Sequence, residues 1–184
     1  MAYIGKSVIG VEHPATSALN ATTGTFSGIV KTDAIQTNAG KPIVNSTGSV
    51  LQVVQGSTST TATATSSFVD TGLTASITPS STSSKILVTV QQQGCTAVAT
   101  NTGSINMKLQ RGSSDIHKIG LAYWYSGGSE GMRGGISTSF LDSPSTTSST
   151  TYKTVFKAND GGTSRVQNDT TNSVSTIILM EIAG

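Results

Sequence analysis

Charge is the first thing this sequence lacks. Asp, Glu, Lys and Arg make up 11% of its 184 residues, against about 25% in an ordinary globular domain. The 11 basic and 9 acidic residues are spread thinly and leave a net charge of +2. No basic run exists to track a phosphate backbone, which argues against a nucleic-acid partner. Histidine is nearly absent. His13 and His117 lie far apart, and neither has a Cys or His at metal-ligand spacing, so no metal centre is expected. Each reads as a solvated or hydrogen-bonded ring. A single cysteine, Cys95, excludes an intrachain disulfide. It lies beside Gly94 at the end of a strand run, and a small buried residue is the natural reading. Long hydrophobic runs are missing too. The stretch from Ile177 to Met180 is far too short to cross a bilayer. The opening MAYIGKSVIG has neither the basic start nor the long apolar core of a secretory signal, and no membrane insertion is expected.

These shortages also thin out the chemistry. The nine carboxylates are Glu12, Asp33, Asp70, Asp115, Glu130, Asp142, Asp160, Asp169 and Glu181, and none forms a close acidic pair of the kind glycoside hydrolysis uses. No GxSxG elbow, phosphate loop or dinucleotide fingerprint occurs. Serine is plentiful, but a serine nucleophile needs a positioned base, and two histidines are a poor supply. The expectation is a protein without catalytic residues or cofactor.

What the sequence has in excess is hydroxyl and turn chemistry. Ser and Thr fill 58 positions, and there are 20 Gly. β-branched Thr suits the pleated strand, while Ser and Gly serve turns. Such a composition also fits disorder, but 35% of the residues are hydrophobic and they fall in alternating runs. From about Val50 the runs are regular. Val50 to Gln55 opens the series, and Phe68 to Asp70 and Leu73 to Ile77 follow. In Ile86 to Val90, residues Ile86, Val88 and Val90 share a face. In Ile105 to Gln110, Ile105, Met107 and Leu109 point inward, with Asn106, Lys108 and Gln110 outward. Arg111 to Asp115 has turn chemistry, and Ile119 to Tyr125, Ile136 to Leu141, Tyr152 to Lys157 and Val174 to Ile182 complete the set. Some eight to ten strands with no amphipathic helix predict an all-β fold. The expected architecture is an antiparallel β-sandwich of jelly-roll type over 46–184, with an up-and-down barrel as runner-up.

Residues 1–45 differ in texture. Short apolar pieces are interrupted by Gly5, Gly10, Pro14, Gly24, Gly28, Gly40 and Pro42, so the segment has no core of its own. It reads as an extended anchor that drapes over a partner, with Tyr3, Ile4, Val8 and Ile9 as the contact residues. Two further sites stand out. Tyr123, Trp124 and Tyr125 precede a Gly-rich loop that contains Arg133. Aromatic rings beside such a loop suit sugar stacking or protein contact, and equally suit a core strand followed by a wide turn. The last strand is apolar on both faces: Val174, Thr176, Ile178, Met180 and Ile182 alternate with Ile177 and Leu179. A strand apolar on both sides is covered on both sides, and Ile177 and Leu179 are the candidates for a subunit contact.

Several blocks resemble tail-fibre-like virion appendage proteins of marine phages and cyanophages. The stretch from Gly28 to Gly40, leading into Gly48 to Gln55, is similar to a linker of that family. Phe68 to Leu73, Ile77 to Ser81, Ser84 to Val88, Leu109 to Gly112, Phe140 to Pro144, Thr151 to Lys153 and Ile178 to Gly184 resemble its outer domain. The resemblance implies a short, homotrimeric virion fibre, made in the host cytoplasm and extracellular after release. Its N-terminal segment would dock on a tail adaptor or nozzle, or on the capsid. Its β-domain would face the host surface, with a cell-surface glycan as candidate ligand. The chain lacks a long repetitive shaft, and 163–168 matches less well than its surroundings, which keeps a capsid decoration or head-fibre role as the alternative.

Overall fold

The computed structural model describes residues 47–98, 102–125, 132–159, 162–168 and 173–184, without the side chains of 98, 102, 103, 121–125 and 132. All of these residues belong to one unit, Val44–Gly184. The anchor candidates Tyr3, Ile4, Val8 and Ile9 lie outside them.

Every regular element among the described residues is a strand. They are β1 (Val50–Thr58), β2 (Ala62–Ala64), β3 (Val69–Ile77), β4 (Lys85–Val98), β5 (Thr102–Arg111), β6 (Ser114–Tyr125), β7 (Met132–Asp142), β8 (Thr150–Ala158), β9 (Thr163–Val166) and β10 (Ser175–Ile182). One sheet runs β1-β10-β4-β9-β2 with β7 also paired to β4, and the other runs β3-β8-β5-β6. With the short β2 and β9 set aside, the eight longer strands have chain order first-eighth-third-sixth in one sheet and second-seventh-fourth-fifth in the other. That interleaving, with all pairs antiparallel, is a jelly roll. The sandwich expected from the sequence is therefore the observed fold, and the barrel is not.

Strand alternation builds the core. Leu73, Ala75 and Ile77 from β3, Ile86, Val88 and Val90 from β4, Leu109 from β5, Tyr152 from β8, and Ile177 and Leu179 from β10 form one buried cluster. Cys95, Ile105, Met107, Phe156, Val166 and Ala64 form a second. A polar seam crosses the sandwich between them. Thr154 Oγ1 donates to Gln92 Oε1 at 3.1 Å, Gln92 Nε2 donates to Ser175 Oγ at 2.9 Å, and Thr71 Oγ1 meets Thr154 Oγ1 at 2.6 Å. Gln167 turns its amide oxygen to Gln92 and Ser175 and its NH2 to the carbonyls of Thr60 and Val166. Each side chain of the seam thus finds a partner, which removes most of the cost of burying it.

β4 is long because it serves two neighbours on one side. Lys85 to Gln91 pairs with β10, and Thr96 to Val98 pairs with β9. The switch falls at a bulge where Gly94 has φ +59°. A Cβ there would sit 2.7 Å from the Asn168 amide nitrogen, so the tight splice requires glycine. Neither β2 nor β9 was expected from the sequence pattern, and both exist only because this bulge opens a second edge.

Candidate functional site: an apolar outer sheet face

The two sheets present very different outer faces. Among the described side chains, the outward positions of β3-β8-β5-β6 are mostly polar or charged, with the buried Val155 as an apolar exception. Lys153 pairs with Asp70 at 2.8 Å and Lys108 with Asp115 at 2.6 Å. Lys108 and Lys157 lie over the Phe68 ring at 4.1 and 5.4 Å. This is an ordinary wet surface.

On β1-β10-β4-β7 the register aligns a row of apolar side chains across all four strands. Val53 lies opposite Met180, Met180 opposite Leu87, and Leu87 opposite Leu141. In the next row toward the chain entry, Val50 pairs with Ile182 and Ile182 with Lys85. In the next row inward, Gln55, Ile178, Thr89 and Ser139 follow each other. Val50, Val53 and Leu141 are 53%, 58% and 50% exposed, and Leu87, Ile178, Met180 and Ile182 are half-buried. The result is a contiguous apolar patch, unlike the scattered single hydrophobics of normal surfaces.

This corrects the subunit-contact residues expected from the sequence. Ile177 and Leu179 are fully buried in the sandwich core, so neither is available to a neighbour. The outward set on β10 is Thr176, Ile178, Met180 and Ile182. The reason is Glu181, which shares its face with Ile177 and Leu179 and is itself buried. Its Oε1 accepts from the Ser80 amide at 2.7 Å, Ser80 Oγ at 2.6 Å and Ser84 Oγ at 2.7 Å, and its Oε2 accepts from Gln52 Nε2 at 2.6 Å. Burial raises the carboxyl pKa, but the hydrogen bonds outweigh it and hold the group below the usual carboxylate range. A carboxylate so well satisfied belongs inside, and it carries Ile177 and Leu179 inward with it.

At the same end of the sandwich, Asp142 joins the sheets. Arg111 Nη1 donates to Asp142 Oδ1 and Oδ2 at 3.0 and 2.8 Å, and the buried Tyr152 hydroxyl donates to Oδ2 at 2.7 Å. Burial, then the Asp142 carboxylate, pushes the Tyr152 phenol pKa well up. Along the open side His117 stacks on Phe140 with centroids 4.8 Å apart and meets Thr138 Oγ1 at 3.1 Å. His117 is thus a hydrogen-bonded packing residue.

The aromatic run closes β6. Tyr123, Trp124 and Tyr125 pair through the backbone with Ser104, Gly103 and Thr102, while their side chains lie outside the described set. Arg133, exposed on β7, pairs through the backbone with Thr96. Register places all four at the end of the sandwich where β5 begins and β6 ends. The chain enters β1 at the opposite end, where the Gly48 amide donates to Ala183 O at 2.8 Å. Along β4, from Lys85 opposite Ile182 to Thr96 opposite Arg133, the two ends lie about 35 Å apart.

No group of three or more His, Cys, Asp or Glu gathers among the described residues, and no helix among them is long and apolar enough to cross a membrane. Cys95 is fully buried. Burial raises its thiol to about 12, against a smaller lowering by a backbone hydrogen bond from Ile136. The fold and this surface define a jelly-roll β-sandwich with one dry and one wet outer face. No family model and no curated protein matches the chain.

Proposed function

We propose that the chain is a non-enzymatic bacteriophage virion structural protein, a short, homotrimeric tail-fibre-type appendage. It docks on the particle through residues 1–45 and presents its jelly roll to the host surface. The observation that carries this reading is the asymmetry of the sandwich. A dry face next to a wet one belongs to a module whose working form is assembled, because a large exposed apolar patch is a liability on a lone domain. Its polarity along the strands fits the same role. The chain enters at one end, and the aromatic run with Arg133 occupies the other, where a cell-surface glycan would meet Tyr123, Trp124 and Tyr125. The blocks between residues 28 and 184 that resemble phage appendages point the same way.

Purified particles provide the test. The protein is expected in a few trimers per particle, and removal of residues 1–27 is expected to abolish incorporation. Normal incorporation without that segment, or absence from particles, would refute the reading. Hundreds of copies over the shell would instead make it a capsid decoration or head-fibre protein. Host-cell binding by the full chain is expected to fall on Trp124→Ala with the fold intact, and unchanged binding would remove Trp124 from the contact.

A further inference from the structure

We infer that the outer face of β1-β10-β4-β7 is where copies of this chain meet one another. Under the appendage reading above, this names the partner of the dry face: a second copy, not the host or another virion protein.

Three observations select that occupant. First, the face carries no formal charge over its whole middle. Between Lys85 at one end and Arg133 on β7 at the other, the outward residues are Val53, Met180, Leu87 and Leu141, then Gln55, Ile178, Thr89 and Ser139, then Ser57, Thr176, Gln91 and Ser137. A neutral apolar face meets its own copy without like-charge repulsion, whereas a surface built for a distinct partner usually carries complementary charge. Second, the size fits. Four strands about 4.8 Å apart and eight residues of about 3.3 Å rise give a plan area of about 500 Å² before side-chain relief is counted. That approaches the roughly 800 Å² of accessible surface that each partner gives to a stable contact. Third, the apolar row crosses all four strands without interruption, so neighbouring copies bury a continuous strip. The central Met180 supplies the adaptable, well-packing side chain common at such contacts.

Analytical ultracentrifugation of the full chain at micromolar concentration tests this directly. The wild-type chain is expected to sediment as a homo-oligomer. Met180→Lys and Leu87→Glu are each expected to shift it to monomer while the far-UV circular dichroism stays that of a β-sandwich. Ser76→Glu, on the wet face, is expected to leave the mass unchanged. A monomeric wild type, or Met180→Lys and Leu87→Glu variants that keep the oligomer mass, would overturn the assignment. Should either variant fail to fold, Leu87→Cys under mild oxidation serves instead. Disulfide-linked chain pairs uphold the assignment, and fast, unhindered maleimide labelling of that thiol in an oligomeric sample overturns it. The two readings fail separately. A dimeric mass lost on Met180→Lys refutes the homotrimer but keeps the face, and an oligomer absent from particles refutes the virion role but keeps the face. A monomer that still incorporates into particles keeps the virion role and removes the self-contact.

Discussion

Glutamate 181 offers a quantitative check on the packing that turns Met180 outward. Its carboxylate accepts four hydrogen bonds from Ser80, Ser84 and Gln52. Glu181→Gln keeps the shape, removes the charge and replaces one acceptor by a donor. If Oε1 is retained for the serines, the new NH2 faces Gln52 Nε2, which also donates to Thr78 O at 2.7 Å and so cannot reverse its amide freely. Charge-assisted hydrogen bonds contribute about 1.5–3 kcal/mol and neutral ones about 0.5–1.5. With partial relaxation around the half-exposed Gln52, the expected loss is about 2–3 kcal/mol. The sign with pH follows from the lowered pKa. A carboxyl whose folded pKa lies below its unfolded value stabilises the fold above the unfolded pKa, and that contribution is lost as pH falls through the folded pKa. Urea unfolding, followed by circular dichroism at fixed protomer concentration, should show wild-type stability falling below about pH 4.3, the ordinary Glu value. The Glu181→Gln variant should be weaker at pH 7 and flatter across the acid range. A loss under about 0.5 kcal/mol at pH 7, or an acid slope equal to that of wild type, would refute the placement of Glu181 as a buried, ionised organiser.

Other consequences are as specific. Tyr152→Phe removes the hydroxyl that reaches Asp142 while Arg111 remains. The expected cost is about 1–2 kcal/mol by urea unfolding. The raised Tyr152 pKa stabilises the fold below the unfolded tyrosine value of about 10 and is lost as pH rises through the folded one, so this phenol should not ionise in the native protein at pH 11. Gly56→Ala would drive a Cβ into the Thr74 carbonyl where β1 crosses β3. An overpacked site of this kind should lose about 1–3 kcal/mol or more, visible as a lower thermal midpoint. Cys95, buried and with its thiol near 12, should resist thiol reagents at pH 8 in the folded protein and react at once after denaturation.

Much of the core is legible in the residue pattern alone. Ile105, Met107 and Leu109 alternate with Asn106, Lys108 and Gln110, and period two leaves one way to bury them; all three apolar residues are fully buried. The same holds for Ile86, Val88 and Val90. β10 is legible only in part. Two equally apolar faces carry no alternation, and the charged Glu181 pulls the expectation toward the wrong set. Its acceptors are satisfied by a loop about a hundred positions away in sequence, which no local pattern reveals. The apolar row is hidden for the same reason. Val53, Met180, Leu87 and Leu141 come from four separate strands, and only the jelly-roll register aligns them. β2 and β9 escape detection because three and four residues are too few to show a period.

Whether the dry face is covered in the working assembly is measured most directly by thiol protection. Leu141→Cys places a reporter on the apolar row, and Ser76→Cys places one on the wet face, with Cys95 silent beneath the surface. In the intact full-chain oligomer, Leu141→Cys should label at least about tenfold more slowly than Ser76→Cys, and the two rates should converge once Met180→Lys is added. Equal, fast labelling at both positions in the assembled protein would contradict a covered face.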